Sequence, residues 1–169
     1  NLDGRGGGSI GSCTTTSPAP CVPRSIFVGP YAEDIAVDAA SVYLVGTESV
    51  RTCGRSGCAM TQTLVTHAGY SWHVLVVGST LVWSLDASIM ACDLDATGAC
   101  AARTVVEIVG GAGDLATDGA FVYWTDWSAG AVRRCPLGGC ASPTTLVSGI
   151  LGASALATDG REVFFGVVP

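Results

Sequence analysis

The sequence predicts an all-β repeat protein, and three observations support this prediction. Short runs rich in β-branched and aromatic residues alternate with turns, and glycine accounts for 23 of the 169 residues. One hydrophobic pattern recurs about every forty residues along the chain. No window keeps a helical apolar period with caps at both ends, so almost no helix is expected.

The repeat becomes visible when four segments are aligned, with spacings of 40, 40 and 41 residues. The segments are DIAVDAASVYLV (34–45), VLVVGSTLVWSL (74–85), DLATDGAFVYWT (114–125) and ALATDGREVFFG (155–166). Their fifth position holds Asp38, Gly78, Asp118 and Asp159, and their tenth holds Tyr43, Trp83, Tyr123 and Phe164. Because aspartate and glycine favour tight turns, the fifth position is expected to be structural.

Each repeat is interpreted as four strands. In the first whole repeat these are 34–38, 41–46, 49–53 and 58–65. The first two strands are nearly continuous apolar runs, which is typical of strands that are covered on both faces. The outer two carry more polar residues. Four-stranded units of about forty residues are typical of β-propeller blades, whereas a stacked solenoid is the alternative interpretation.

These repeats predict one β-propeller domain over residues 1–169 with about four blades. Three blades are whole and cover 34–69, 70–113 and 114–153. The remaining halves, 1–33 and 154–169, are expected to pair as one composite blade that closes the ring.

The chain has eight cysteines in close pairs, which indicates disulfides and an oxidising compartment. The expected bridges, each across the outer hairpin of its blade, are Cys13–Cys21, Cys53–Cys58, Cys92–Cys100 and Cys135–Cys140. A metal site would need two-residue gaps or nearby histidines, so none is expected. A secreted, extracellular or periplasmic location follows from this interpretation.

The residues VYWTD at 122–126, preceded by LATDG, resemble the YWTD-type β-propeller repeat. The blade as a whole is similar to NHL and WD40-like repeats, and its cysteine pair resembles cysteine-bearing propeller repeats of secreted bacterial proteins. One repeat holds the full tetrapeptide, and the others contain VYLVG, VWSLD and VFFGV. The resemblance implies a propeller fold over nearly the whole chain.

Charge and hydropathy argue against nucleic-acid binding and against a membrane-spanning helix. The net charge is −6, there is no lysine, and the eight arginines are mostly scattered. A basic surface for nucleic acid is therefore not expected. The longest apolar runs, such as VLVV at 74–77, are too short to span a membrane as a helix.

One face of the propeller, built from loops between and within blades, gathers aromatic and acidic side chains. The candidate binding residues are Tyr31, Glu33, His67, Tyr70, Trp72, His73, Asp86, Asp126 and Trp127. Such residues suit contact with a protein or glycan, although they could instead plug the channel or cover seams between blades. The two histidines could also transfer protons or bind metal, and DLDATG at 93–98 partly resembles a calcium loop but lacks its later acidic ligands.

Three functional hypotheses follow. The first is a secreted, non-enzymatic module for binding or structure, with no cofactor. The second is a filament or homo-oligomer in which half-blades pair between chains. The third is a hydrolase or lyase with His67 or His73 as general base, although no catalytic motif supports it.

Overall fold

The computed structural model describes residues 7–16, 20, 23–30, 32–95 and 97–168. Within these residues the structure has fifteen β-strands and no helix. All strand pairs are antiparallel, and the strands form five sheets in chain order. The all-β prediction is therefore confirmed.

Two central sheets have four strands each, one has three, and the terminal sheets have two. Sheet 1 consists of β1 (Gly7–Ser12) and β2 (Arg24–Pro30), and sheet 2 of β3 (Asp34–Val37), β4 (Ser41–Gly54) and β5 (Gly57–Tyr70). Sheet 3 consists of β6 (Val74–Val77), β7 (Thr80–Leu85), β8 (Ser88–Asp93) and β9 (Arg103–Glu107). Sheet 4 consists of β10 (Ala112–Thr117), β11 (Phe121–Asp126), β12 (Ala131–Pro136) and β13 (Thr144–Ser148), and sheet 5 of β14 (Ala153–Thr158) and β15 (Val163–Val167).

Sheet 2 differs from the predicted four separate strands because β4 is a single fourteen-residue element. Its two ends nevertheless lie side by side: the Arg55 N–H donates to the Ala40 carbonyl at 3.0 Å, and the Thr52 hydroxyl donates to the Val42 carbonyl at 3.2 Å. The strand doubles back near Glu48, whose φ is +66°. The predicted second and third strands are thus present, but they form one continuous strand that includes the turn between them.

The recurring aspartates close the turn between the first two strands of a sheet. Asp118 Oδ1 accepts the N–H groups of Ala120 and Phe121 at 2.9 and 2.8 Å, and its Oδ2 accepts the Tyr123 hydroxyl at 2.8 Å. Asp38 and Asp159 accept the equivalent two backbone N–H groups. This pattern of bonds is the local reason for an aspartate at that position.

The register corrects the repeat alignment by one residue in sheet 3. The bond from the Leu94 N–H to the Ser79 carbonyl matches that from Leu137 to Ala120 in sheet 4. Gly78 is therefore equivalent to Gly119, and both glycines have positive φ. It follows that Trp83 is equivalent to Trp124, and both indoles are completely buried.

The core lies between successive sheets. Tyr43, Val45 and Val50 of sheet 2 pack with Leu81 and Trp83 of sheet 3. On the other face of sheet 3, a second cluster joins it to sheet 4. The first strand of each central sheet also contacts the first strand of the next, as β3 does β6, β6 does β10 and β10 does β14. Each central sheet is consequently covered on its faces by its neighbours, which explains its continuous apolar strands.

Three of the expected disulfides are present, and each joins the two outer strands, or the turn between them, of one central sheet. They are Cys53–Cys58, Cys92–Cys100 and Cys135–Cys140. The fourth expected bridge includes Cys21, which lies outside the described residues.

Sheets 1 and 5 are separate from each other in this structure. Among the described residues, β15 is hydrogen-bonded to β14 alone. The composite blade and the ring of about four blades stay predictions. No helix of the described chain is long and apolar enough to span a bilayer.

Candidate functional site

A cleft lies between Trp72 and Trp127, and it has a volume of about 320 Å³. His73 and the glycine-rich segment 110–113 complete its lining. The two indoles are 47% and 59% exposed, whereas Trp83 and Trp124 are fully buried. Three of the candidate residues, from two separate regions of the sequence, thus line one cleft.

The strand β7 holds one wall of the cleft in place. The hydroxyl of Ser84, which is buried, accepts the N–H groups of Trp72 and His73 at 3.2 and 3.1 Å. The His73 carbonyl in turn accepts the Ser84 N–H at 3.0 Å. Tyr70 stacks on Trp72 with ring centroids 5.6 Å apart, so the indole is supported on one side.

The other wall depends on a glycine. A Cβ atom at Gly113 would collide with the Trp127 indole nitrogen and with the Thr125 hydroxyl. The absence of a side chain at Gly113 therefore lets the indole lie directly against the β10 backbone. The Thr125 hydroxyl also accepts the Asp114 N–H at 2.9 Å, which fixes the adjoining residue.

Two carboxylates flank His73 where the first strands of sheets 2 and 4 begin. The His73 Nδ1 atom is 3.4 Å from Asp114 Oδ1 and 3.8 Å from Asp34 Oδ2. Carboxylates only accept hydrogen bonds when ionised, so Nδ1 is the nitrogen that carries a hydrogen.

The same carboxylates connect neighbouring sheets. Asp34 Oδ2 accepts the Val74 N–H at 2.9 Å, and Asp114 Oδ2 accepts the Leu156 N–H at 2.8 Å. Asp34 thus joins sheets 2 and 3, and Asp114 joins sheets 4 and 5. The aspartates have a structural role in addition to their position beside His73.

Tyr70 and His67 lie at the end of strand β5, not in the loop that the sequence analysis expected. The strand continues this far because Tyr70 pairs with Thr47. Asp86 Oδ2 accepts the Tyr70 N–H at 3.2 Å and so supports the aromatic stack from below.

His67 has a separate environment. Its Nε2 atom is 3.1 Å from the hydroxyl of Ser71, which is fully buried. Burial lowers the pKa of the imidazole. A serine without access to solvent offers no substrate an attacking hydroxyl, so this pair is interpreted as structural.

The remaining candidate residues lie away from the cleft lining or outside the described chain. Asp126 is buried and accepts hydrogen bonds from the Ser128 hydroxyl and the Ala129 N–H. It also forms an ion pair with Arg133, whose Nε lies 2.9 Å from Asp126 Oδ2. The Asp126 carboxylate therefore binds groups within and next to sheet 4. The Glu33 side chain is exposed, and Tyr31 lies outside the described residues.

In the segment that partly resembles a calcium loop, the Asp95 side chain holds a turn. Asp95 Oδ1 accepts the Thr97 hydroxyl at 2.6 Å and the N–H groups of Thr97 and Ala99 at 2.8 and 2.9 Å. The Thr97 hydroxyl, followed by these backbone groups, lowers the pKa of Asp95.

Sequence reasoning missed three residues of the site: Asp34, Asp114 and Gly113. The two aspartates begin the similar segments DIAVD and DLATD, and their repetition was the available signal. The one-residue misalignment of sheet 3 concealed that His73 occupies the equivalent position. Gly113 carried no signal, because its role depends on an indole that is distant in sequence.

The chain was compared with known proteins at the levels of sequence and structure. No family model matches it, and no curated protein matches it in sequence. A solved structure of a nidogen/laminin complex is similar over 93% of this chain, with a TM-score of 0.75 and 15% identity. The chain spans 63% of the length of that neighbour.

A crystal structure of the computationally designed Ika4 protein is also similar, with a TM-score of 0.65 and 11% identity. The match covers 81% of this chain and 85% of that one. The likeness to the nidogen/laminin structure supports the β-propeller class that the repeat predicted. The chain has a β-propeller-like fold.

Proposed function

We propose that the protein is an extracellular binding module that engages a protein or glycan partner through the cleft between Trp72 and Trp127. The observation that carries the proposal is the pair of half-exposed indoles on rigid supports. Large aromatic rings contribute much of the energy at binding interfaces and lose little entropy when bound. Tyr70 and Gly113 hold these rings before any partner arrives, which reduces the cost of association.

The disulfides support the location. Three bridges lie in the three central sheets, and such bridges persist in oxidising compartments. An oxidised protein with an aromatic cleft and no described catalytic constellation fits a binding role better than a hydrolytic one. The nidogen/laminin neighbour is a complex between proteins, which is consistent with a protein partner here.

Binding to arrayed oligosaccharides and peptides tests the proposal. We expect some probe to bind the wild-type chain and to lose at least about tenfold in affinity when Trp72 and Trp127 are both replaced by alanine. The matched control is Phe164→Ala, which removes an aromatic ring that is 55% exposed in sheet 5. Equal binding by the double variant and the wild type would contradict the proposal.

A further inference from the structure

We infer that the cleft binds a cationic side chain, the guanidinium group of an arginine on a partner protein. This inference rests on the proposed binding function and adds the chemical class of the ligand. It follows from three features of the cleft: its aromatic walls, the two carboxylates beside His73, and the small number of polar side chains in its lining.

The aromatic walls favour a cation. Tryptophan is the side chain whose ring face attracts cations most strongly. Trp72 and Trp127 both line the cleft and both remain about half exposed. A planar guanidinium can stack on an indole and still donate hydrogen bonds in its own plane, which an ammonium group does less well.

The charge around the cleft is negative. Asp34 and Asp114 both lie within 4 Å of the His73 ring, and Asp114 directly follows the lining residue Gly113. The residues that line the cleft include no arginine, and Arg133 forms an ion pair with Asp126 at 2.9 Å. A cation entering the cleft is therefore attracted by the two carboxylates that lie on the other side of the His73 ring.

The lining of the cleft has few polar side chains. Besides His73 and the two tryptophans, the lining consists of glycine and alanine residues. A sugar with several hydroxyl groups would need more fixed polar side chains, whereas a guanidinium can stack on the faces of the indoles.

The test compares two tripeptides, acetyl-Gly-Arg-Gly-amide and its citrulline counterpart, which is neutral and of nearly the same shape. Tryptophan fluorescence of the wild-type chain reports binding at about 150 mM salt, where non-specific attraction is screened. We expect the arginine peptide to bind about tenfold more tightly than the citrulline peptide. Equal affinities, or tighter binding of citrulline, would overturn the inference.

Two variants test whether the preference for the arginine peptide depends on the cleft. Trp127→Leu removes a ring face but keeps an apolar side chain, and Asp114→Asn removes a charge while its amide oxygen can still accept the Leu156 N–H. Each is expected to reduce the preference for arginine several-fold, while Phe164→Leu leaves it unchanged. An unchanged preference in both cleft variants would overturn the inference. Because the wild-type comparison needs no variant, unfolding of either one does not remove the test.

The outcomes separate this inference from the proposed function. If both peptides fail while an oligosaccharide binds in a manner that depends on Trp72 and Trp127, the binding module stands and the guanidinium ligand is wrong. If neither the peptides nor any arrayed probe depends on these two residues, both proposals fall.

Discussion

Sheets 4 and 5 contain the same local pattern but bury it differently. Trp124 pairs with Leu115 in sheet 4, and Phe165 pairs with Leu156 at the equivalent register in sheet 5. Trp124 is completely buried, whereas Phe165 is 36% exposed. Identical strand pairing therefore coexists with very different solvation.

The difference in burial between Trp124 and Phe165 arises from the sheets that adjoin sheets 4 and 5. Sheet 4 packs against sheet 3 through a shared apolar cluster, and it contacts sheet 5 on its other side. Its strand β11 also has hydrogen-bonded partners on both edges, while β15 is paired only with β14 among the described residues. The apolar sequence thus determines that a hairpin forms, and the adjoining sheets determine how much of it is buried.

The largest expected effect on stability is that of replacing Trp124, and it is compared with the effect of replacing Phe165. Trp124→Ala is expected to lower the free energy of unfolding by about 3–5 kcal/mol, because a large side chain leaves a cavity in a packed core. Phe165→Ala should cost about 1 kcal/mol, since its ring keeps part of its contact with water. Denaturant unfolding of both variants measures the difference. Similar losses would show that sheet 5 is as well packed in solution as sheet 4.

The second prediction concerns two disulfides with the same sequence separation of five residues, Cys53–Cys58 and Cys135–Cys140. Replacing either pair by serine is expected to cost about 2 kcal/mol, because loop entropy depends on ring size. The two double variants are each other's control in denaturant unfolding. A clearly larger loss in sheet 4, where Cys135 is fully buried, would show that packing of the sulfur outweighs loop entropy.

The third prediction contrasts two turns that use the same aspartate. Burial alone would raise the pKa of Asp118, but hydrogen bonds from Phe121, Ala120 and Tyr123 outweigh it and lower the pKa. Asp118→Asn is expected to cost about 1 kcal/mol at neutral pH, the usual net value of such a bond. Asp159→Asn should cost less, because Asp159 has the two backbone bonds of its turn but faces Phe164, which has no hydroxyl.

The pH dependence gives an independent check on these turns. Because the folded-state pKa of Asp118 is lowered, its contribution is present above the unfolded pKa and is lost as pH falls through the folded one. The wild-type chain should therefore lose stability below about pH 4 more steeply than Asp118→Asn does. Urea midpoints measured from neutral to acidic pH report this, and parallel curves would contradict the assignment.

The sequence predicted the strands and the bridges well because both depend on local signals. Hydrophobic runs between glycine-containing turns identified the hairpins, and close cysteine spacing identified Cys53–Cys58 and its two counterparts. The site was only partly predictable. Trp72, His73 and Trp127 stood out as aromatic or titratable loop residues, but the role of Gly113 depends on a side chain that reaches it only in the folded chain.

The smallest expected effect is that of Phe164→Ser in sheet 5. The Phe164 ring is 55% exposed, so its replacement should change the free energy of unfolding by less than about 0.5 kcal/mol. It should also reduce association between chains at high concentration, because an exposed apolar side chain favours pairing at a strand edge that is unpaired among the described residues. Denaturant unfolding and light scattering measure the two quantities on the same sample. A loss of several kcal/mol would instead mean that Phe164 is buried in solution, as the predicted composite blade of sheets 1 and 5 requires.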